Sequence, residues 1–139
     1  MKIFSILAIY YPSHDELKVF ERVNSGWTQK GLTIDAVMGY PNNSATFPNL
    51  RGLDYLDITP SGTTIAISLP YQSGRVKVYS FKNNEWTQDG SDITIIDINS
   101  SWQERFAPTV ALSDDGKKVA TIGIGEYQFG KGSIFMFTT

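Results

Sequence analysis

The chain has 139 residues, 41% hydrophobic and 19% charged, the make-up of one globular domain rather than a disordered tail. Twelve Lys and Arg against fourteen Asp and Glu leave a net charge of −2, so there is no basic excess to gather phosphates and no nucleic-acid partner is expected. With no cysteine and a single histidine, His14, the chain lacks the residues for disulfides, thiolate metal sites, cysteine catalysis and most zinc or triad chemistry, and no stretch reaches the about 18 apolar residues of a membrane-spanning helix.

Short β-prone runs separated by turn residues fill the sequence. The first is Ile3 to Tyr10. Its charged start at Lys2 and apolar middle look like a short leader, but Pro12-Ser13-His14-Asp15 has no small-x-small cleavage pattern, so it is read as a strand. Leu17 to Val23 follows, and Asn24-Ser25-Gly26 turns the chain toward Trp27 to Ile34. Beyond a long segment come Leu53 to Thr59, the tight turn Pro60-Ser61-Gly62, Thr64 to Leu69, and Arg75 to Phe81. Asn83-Asn84-Glu85 then leads to Trp86 to Ile98, with a break at Asp89-Gly90-Ser91-Asp92. The last three runs are Thr109 to Ser113, Lys118 to Ile124 after Asp114-Asp115-Gly116, and Ser133 to Thr138. In both tight turns Pro or Asp sets the early positions and Gly takes the left-handed one, which is hairpin chemistry.

The runs repeat. Val19-Phe20-Glu21-Arg22-Val23-Asn24-Ser25-Gly26-Trp27-Thr28-Gln29-Lys30-Gly31 returns 59 residues later as Val78-Tyr79-Ser80-Phe81-Lys82-Asn83-Asn84-Glu85-Trp86-Thr87-Gln88-Asp89-Gly90. Leu7-Ala8-Ile9-Tyr10-Tyr11-Pro12 matches Ile65-Ala66-Ile67-Ser68-Leu69-Pro70. A third copy matches at Leu112 to Ala120 and at Gly132 to Phe137. A four-stranded antiparallel unit at this period is the signature of a β-propeller blade, which buries its faces only by stacking on its neighbours. Counted from each Trp, the ten strands group as two, four and four: a half-blade at 1–25, a blade at 26–82 and a blade at 83–139. The expected fold is an all-β partial propeller of about two and a half blades; two sheets packed as a plain sandwich is the competing architecture.

Trp86-Thr87-Gln88-x-Gly90, Ala111-Leu112-Ser113-Asp114-Asp115-Gly116-Lys117-Lys118-Val119-Ala120 and Gly74-Arg75-Val76-Lys77-Val78-Tyr79 resemble the FG-GAP-like, integrin-α-type propeller repeat. The resemblance implies a surface, secreted or virion-associated protein that acts in adhesion and binding. The acidic calcium loop of many such repeats, Asp-x-Asp-x-Asp-Gly, is absent, so no metal and no cofactor is expected.

Two and a half blades leave open sheet faces and edges that something must cover, either further copies of the chain or the rest of a larger assembly. Strand alternation sends the segments 35–52 and 99–108, with 11–16, 70–74 and 125–131, to one end of the sheets and the tight turns to the other. That loop-rich end is the expected recognition face, with Tyr40, Asn43, Arg51, Tyr71, Trp102, Arg105 and Tyr127 as binding candidates for a protein or a glycan. Alternatively the long segments fold over the blades, with Phe47, Trp102 and Phe106 inward. Trp27 and Trp86 occupy one repeat position and are read as blade-to-blade packing.

No residue is assigned a catalytic role. His14-Asp15 sits in a short inter-strand loop with no serine elbow nearby, and Asp114-Asp115 offers too few oxygens for calcium. Asp54, Asp57, Asp92 and Asp97 are the acids that a carbohydrate-binding or glycoside-processing propeller would draw on. The leading reading is a non-enzymatic binding or structural module.

Overall fold

The computed structural model describes residues 5–11, 14, 16–35, 55–69, 75–94, 105–124 and 132–139. Within them the chain forms eleven strands: β1 Ile6–Tyr11, β2 Glu16–Val23, β3 Gly26–Gln29, β4 Ile34–Asp35, β5 Tyr55–Ile58, β6 Thr64–Leu69, β7 Arg75–Lys82, β8 Glu85–Gln88, β9 Arg105–Leu112, β10 Lys118–Ile124 and β11 Gly132–Thr138. They make three antiparallel sheets, β1-β2-β3 with β4 continuing the β3 edge beside β2, then β5-β6-β7-β8, then β9-β10-β11.

The turns set this pairing. Asn83 and Asn84 both have positive φ, the conformation of a two-residue type I′ hairpin, and Asn24 is also left-handed in the two-residue turn to Gly26. A two-residue turn can only fold a strand back on its neighbour, so Trp27 pairs with Arg22 and Trp86 with Phe81. Each Trp strand is therefore the outer strand of the sheet before it. The hydrogen bonding corrects the boundaries expected at 1–25, 26–82 and 83–139: the sheets span residues 6–35, 55–94 and 105–138, and the strand positions group as three, four and three. The total of ten, two and a half four-stranded blades, is unchanged.

Two runs are also broken or lengthened. Gly31 and Gly90, at equivalent positions and both with positive φ, kink the Trp strands, so the first divides into β3 and β4 and the second continues only as the bridge between Val76 and Ile93. Strand β9 starts four residues earlier than the turn pattern implied. It contains Pro108, which this edge strand tolerates because its register shifts between the Thr121 and Gly123 pairs. At that irregularity the buried Thr121 hydroxyl donates to the Thr109 carbonyl at 2.6 Å.

The sheets stack face on face. One side of each sheet, which we call its front, meets the back of the sheet before it. Ile65, Ile67, Leu69 and Tyr79 on the front of the second sheet pack against Leu17, Val19 and Ile34 on the back of the first. Ala66, Val76 and Val78 on its back pack against Val110 and Val119 on the front of the third. Covered on both sides, β6 is buried from Ile65 to Leu69, which explains its unbroken run of apolar and small residues. Both tight turns have the anticipated form. Gly62 and Gly116 are left-handed and donate to the Thr59 and Ser113 carbonyls at 2.8 Å. Three sheets stacked in series exclude the two-sheet sandwich; this is a partial β-propeller.

Two side chains tie the stack across long stretches of sequence. The Trp86 indole Nε1–H donates to the Lys30 carbonyl at 2.9 Å, with the Phe81 ring 5.2 Å away, centroid to centroid. Trp86 is thus a blade-to-blade packing residue, as its repeat position suggested, whereas Trp27, expected in the same role, is 48% exposed on the front of the first sheet, which no other sheet of the chain covers. Asp57 Oδ2 accepts the Leu112 backbone N–H at 2.7 Å while its Oδ1 accepts that of Ile58 at 2.9 Å, joining the second sheet to the third.

Candidate functional site

Strand polarity divides the molecule into two ends. The four tight turns, at Asn24-Ser25, Thr59–Thr63, Asn83-Asn84 and Ser113–Lys117, lie at one end. At the other lie Tyr11, Glu16, Asp35, Tyr55, Leu69, Arg75, Arg105, Ile124 and Gly132, the strand ends that lead into the long segments. Of the binding candidates, Arg105 begins β9 at this end, where it pairs with Ile124 and only its backbone is described. Tyr40, Asn43, Arg51, Tyr71, Trp102 and Tyr127 lie outside the described residues, as do Asp54, Asp97, Phe47 and Asp15. The side chain of Phe106 is likewise not described.

The described chemistry near this end is a set of paired charges on the first and second sheets. On the second sheet Asp92 accepts from Arg75 Nη1 at 3.3 Å, from Lys77 Nζ at 3.3 Å and from Gln88 Nε2 at 2.9 Å. Partial burial opposes its charge, but the Gln88 hydrogen bond and the Lys77 and Arg75 cations outweigh that and hold its carboxyl below the ordinary carboxylate value. Burial, and then the Asp92 charge, push the nearby Tyr79 phenol up. On the first sheet Lys18, the repeat equivalent of Lys77, pairs at 2.9 Å with Glu16, which stands where the second sheet has Arg75, and the Lys18 ammonium lies 5.0 Å from the Tyr11 ring centroid. The Lys18 hydrogen bond lowers the half-buried Glu16 carboxyl. His14, in the turn between β1 and β2, donates its backbone N–H to the Tyr11 carbonyl at 3.2 Å.

Further along the same strands the two sheets carry their charges the other way round. Lys30 pairs with Glu21 at 3.3 Å on the first sheet. At the equivalent place on the second, Asp89 accepts from the Ser80 hydroxyl and from Lys82 at 2.9 Å. Burial works against the Asp89 charge, yet these two donors keep its carboxyl below the usual range. The repeated glutamine has a structural task in both copies: Gln29 and Gln88 donate to the Gly31 and Gly90 carbonyls at 3.1 and 3.2 Å and brace the kinked outer strands.

Two of the acids proposed for hydrolysis are therefore engaged in the framework, Asp57 with two backbone amides and Asp92 with two cations and an amide side chain. Asp115 accepts from the Ser113 hydroxyl at 2.7 Å and from the Lys117 N–H at 3.0 Å within its own turn. Among the described residues no group of three or more His, Cys, Asp or Glu is arranged to hold a metal ion. Sequence reasoning missed the Asp57 clamp, whose partner is 55 residues away. The Asp92 cluster left a faint signal in the cations at alternate positions of β7, Arg75 and Lys77.

No family model and no curated protein matches the sequence. Among solved structures, the chain is similar to a Bacteroides fragilis protein provisionally named a 6-phosphogluconolactonase, with a TM-score of 0.53 and 12% identity over 97% of this chain and 36% of that one. A Bacteroides uniformis protein with the same provisional name gives a TM-score of 0.49 and 17% identity over 99% of this chain and 40% of that one. This chain thus spans little more than a third of the first protein's length, and at that identity the likeness concerns the fold alone.

Proposed function

We propose that this chain is a non-enzymatic binding or structural module, a propeller section that assembles with copies of itself or with a partner and presents its loop-rich end for recognition. The observation that carries this reading is the engagement of Asp57 and Asp92 in sheet-to-sheet and strand-to-strand bonds, which leaves them as framework groups rather than an acid and base facing a substrate. The resemblance of the repeat to FG-GAP-like propellers, which act mostly in surface adhesion, supports the same reading. Tyr40, Asn43, Arg51, Tyr71, Trp102, Arg105 and Tyr127 are the contact residues in this proposal, aromatic and arginine anchors of the kind that dominate interface energy.

The test uses an immobilised glycan and protein array probed with the 139-residue chain. Specific capture that Trp102→Ala or Arg105→Ala weakens about thirtyfold, the roughly 2 kcal/mol of an interface anchor, is the expected result. Capture indifferent to all seven positions overturns it. A second reading, a carbohydrate-binding or sugar-processing propeller, draws on the lactonase name of the Bacteroides fragilis structure. Turnover of a sugar lactone or an aryl glycoside by the purified chain, abolished by a substitution on the loop-rich end, would favour that reading over the first.

A further inference from the structure

The inside of the stack shows what its outer faces are built to meet. At both internal junctions the front of one sheet is covered by the back of the sheet before it, through the same repeat positions. On the backs, Leu17 and Val76 are 0% exposed and their neighbours Val19 and Val78 are 1% and 3% exposed. The third sheet carries Ile134 and Met136 at those two positions, where they are 76% and 72% exposed. On the fronts, Ile65 and Val119 are 0% exposed, while Leu7, their counterpart on the first sheet, is 42% exposed and shares its face with Trp27. One chain therefore carries an uncovered front at its beginning and an uncovered back at its end, the two halves of a junction it already makes twice.

We infer that a second copy of this chain is the occupant: the back of the third sheet, Ile134 and Met136, packs on the front of the first sheet of a neighbouring copy, Leu7, so that copies join head to tail. The inference rests on the assembly reading above and adds its polarity. A junction of this kind needs no other chain type, because donor and acceptor faces are distinct and both present in every copy. The described residues of each 139-residue copy form three sheets, so two copies supply six, within the about four to eight blades of closed propellers. An isologous pairing, front to front, would set Leu7 against Leu7 and leave Ile134 and Met136 in water.

The chain has no cysteine, so the polarity is directly readable by cross-linking. Leu7→Cys and Met136→Cys are made separately and treated, alone and mixed, with a bis-maleimide spanning about 10 Å, the spacing of packed sheets. The mixture gives a covalent dimer and neither variant alone does. Light scattering gives twice 15.5 kDa for the unsubstituted chain and a single chain mass for Met136→Lys. That substitution sits on a face exposed in the single chain, so the dissociated chain keeps the β-sheet circular dichroism spectrum of the unsubstituted one and melts lower only by the lost association. A monomeric unsubstituted chain, cross-linking of either variant with itself, or an open series of copies beyond two would each overturn the inference. The array result is independent of it, since loop contacts are lost or kept whichever way copies pair.

Discussion

Replacing Asp57 with alanine tests the account of what joins the second and third sheets. The carboxylate accepts the Leu112 N–H at 2.7 Å from one oxygen and the Ile58 N–H at 2.9 Å from the other. A hydrogen bond to a charged group contributes about 1.5–3 kcal/mol, and a buried donor left without a partner costs about 1–3 kcal/mol. Because Leu112 is half-buried and Ile58 pairs within its own segment, the loss should be about 2–3 kcal/mol. With a urea slope of about 2 kcal/mol/M for a domain of this size, the unfolding midpoint falls by about 1–1.5 M. Tryptophan fluorescence follows the transition, and amide exchange at Leu112 reports the junction itself, accelerating in the native state. Asp57→Asn keeps the shape but offers one acceptor oxygen and sets an NH₂ against the second donor, so it recovers only part of the loss. A midpoint shift below about 0.3 M with unchanged exchange at Leu112 would refute the clamp.

Gly62→Ala places a methyl 2.5 Å from Ile6 Cδ1 at a φ of +63°, so left-handed strain of about 1–2 kcal/mol adds to overpacking of about 1–3 kcal/mol. Ile6→Ala in the same chain relieves only the second part, so thermal melts of the two singles and the double show positive coupling. Trp86→Phe removes the bond to the Lys30 carbonyl and costs about 1 kcal/mol in urea titrations. Asp89 and Asp92 are both depressed in the folded chain, so the native state binds fewer protons than the unfolded one. Their contribution is present above the unfolded carboxylate value of about 3.9 and is lost as pH falls through the lower folded values. Melting temperature should drop below about pH 4, and Asp92→Asn should flatten that decline; an unaltered slope would exclude the Asp92 cluster as a source of acid sensitivity.

Much of the architecture was legible because turn chemistry is local. Gly62 and Gly116 announce left-handed positions, and Asn83-Asn84 a two-residue hairpin, whatever surrounds them. The phase of the repeat was not legible from periodicity, since a repeat has no origin; the Asn turns held that information, because strands on either side of two residues must pair. Strand β9 was read short because its first residues, up to Pro108, fell in the segment read as a long loop, whereas an irregularity in β9 itself lets Pro108 sit within an edge strand. Asp57 was seen as a candidate acid because its acceptor role depends on an amide brought near only by stacking. Of the loop-rich end, the sequence supplied residue types and strand alternation supplied the side. The contacts of Tyr40, Trp102 and Tyr127 depend on conformations that no repeat or turn rule specifies.

The reversed charges on otherwise similar outer hairpins bear on how the chain avoids misassembly. Near-identical modules in one polypeptide are prone to exchange strands while folding. Were the Trp86 strand to lie beside β2, Asp89 would fall next to Glu21; were the Trp27 strand to lie beside β7, Lys30 would fall next to Lys82. Like charges would meet in each swapped arrangement and opposite charges meet in each native one, so the sign of a single residue per hairpin disfavours exchange of these two outer strands.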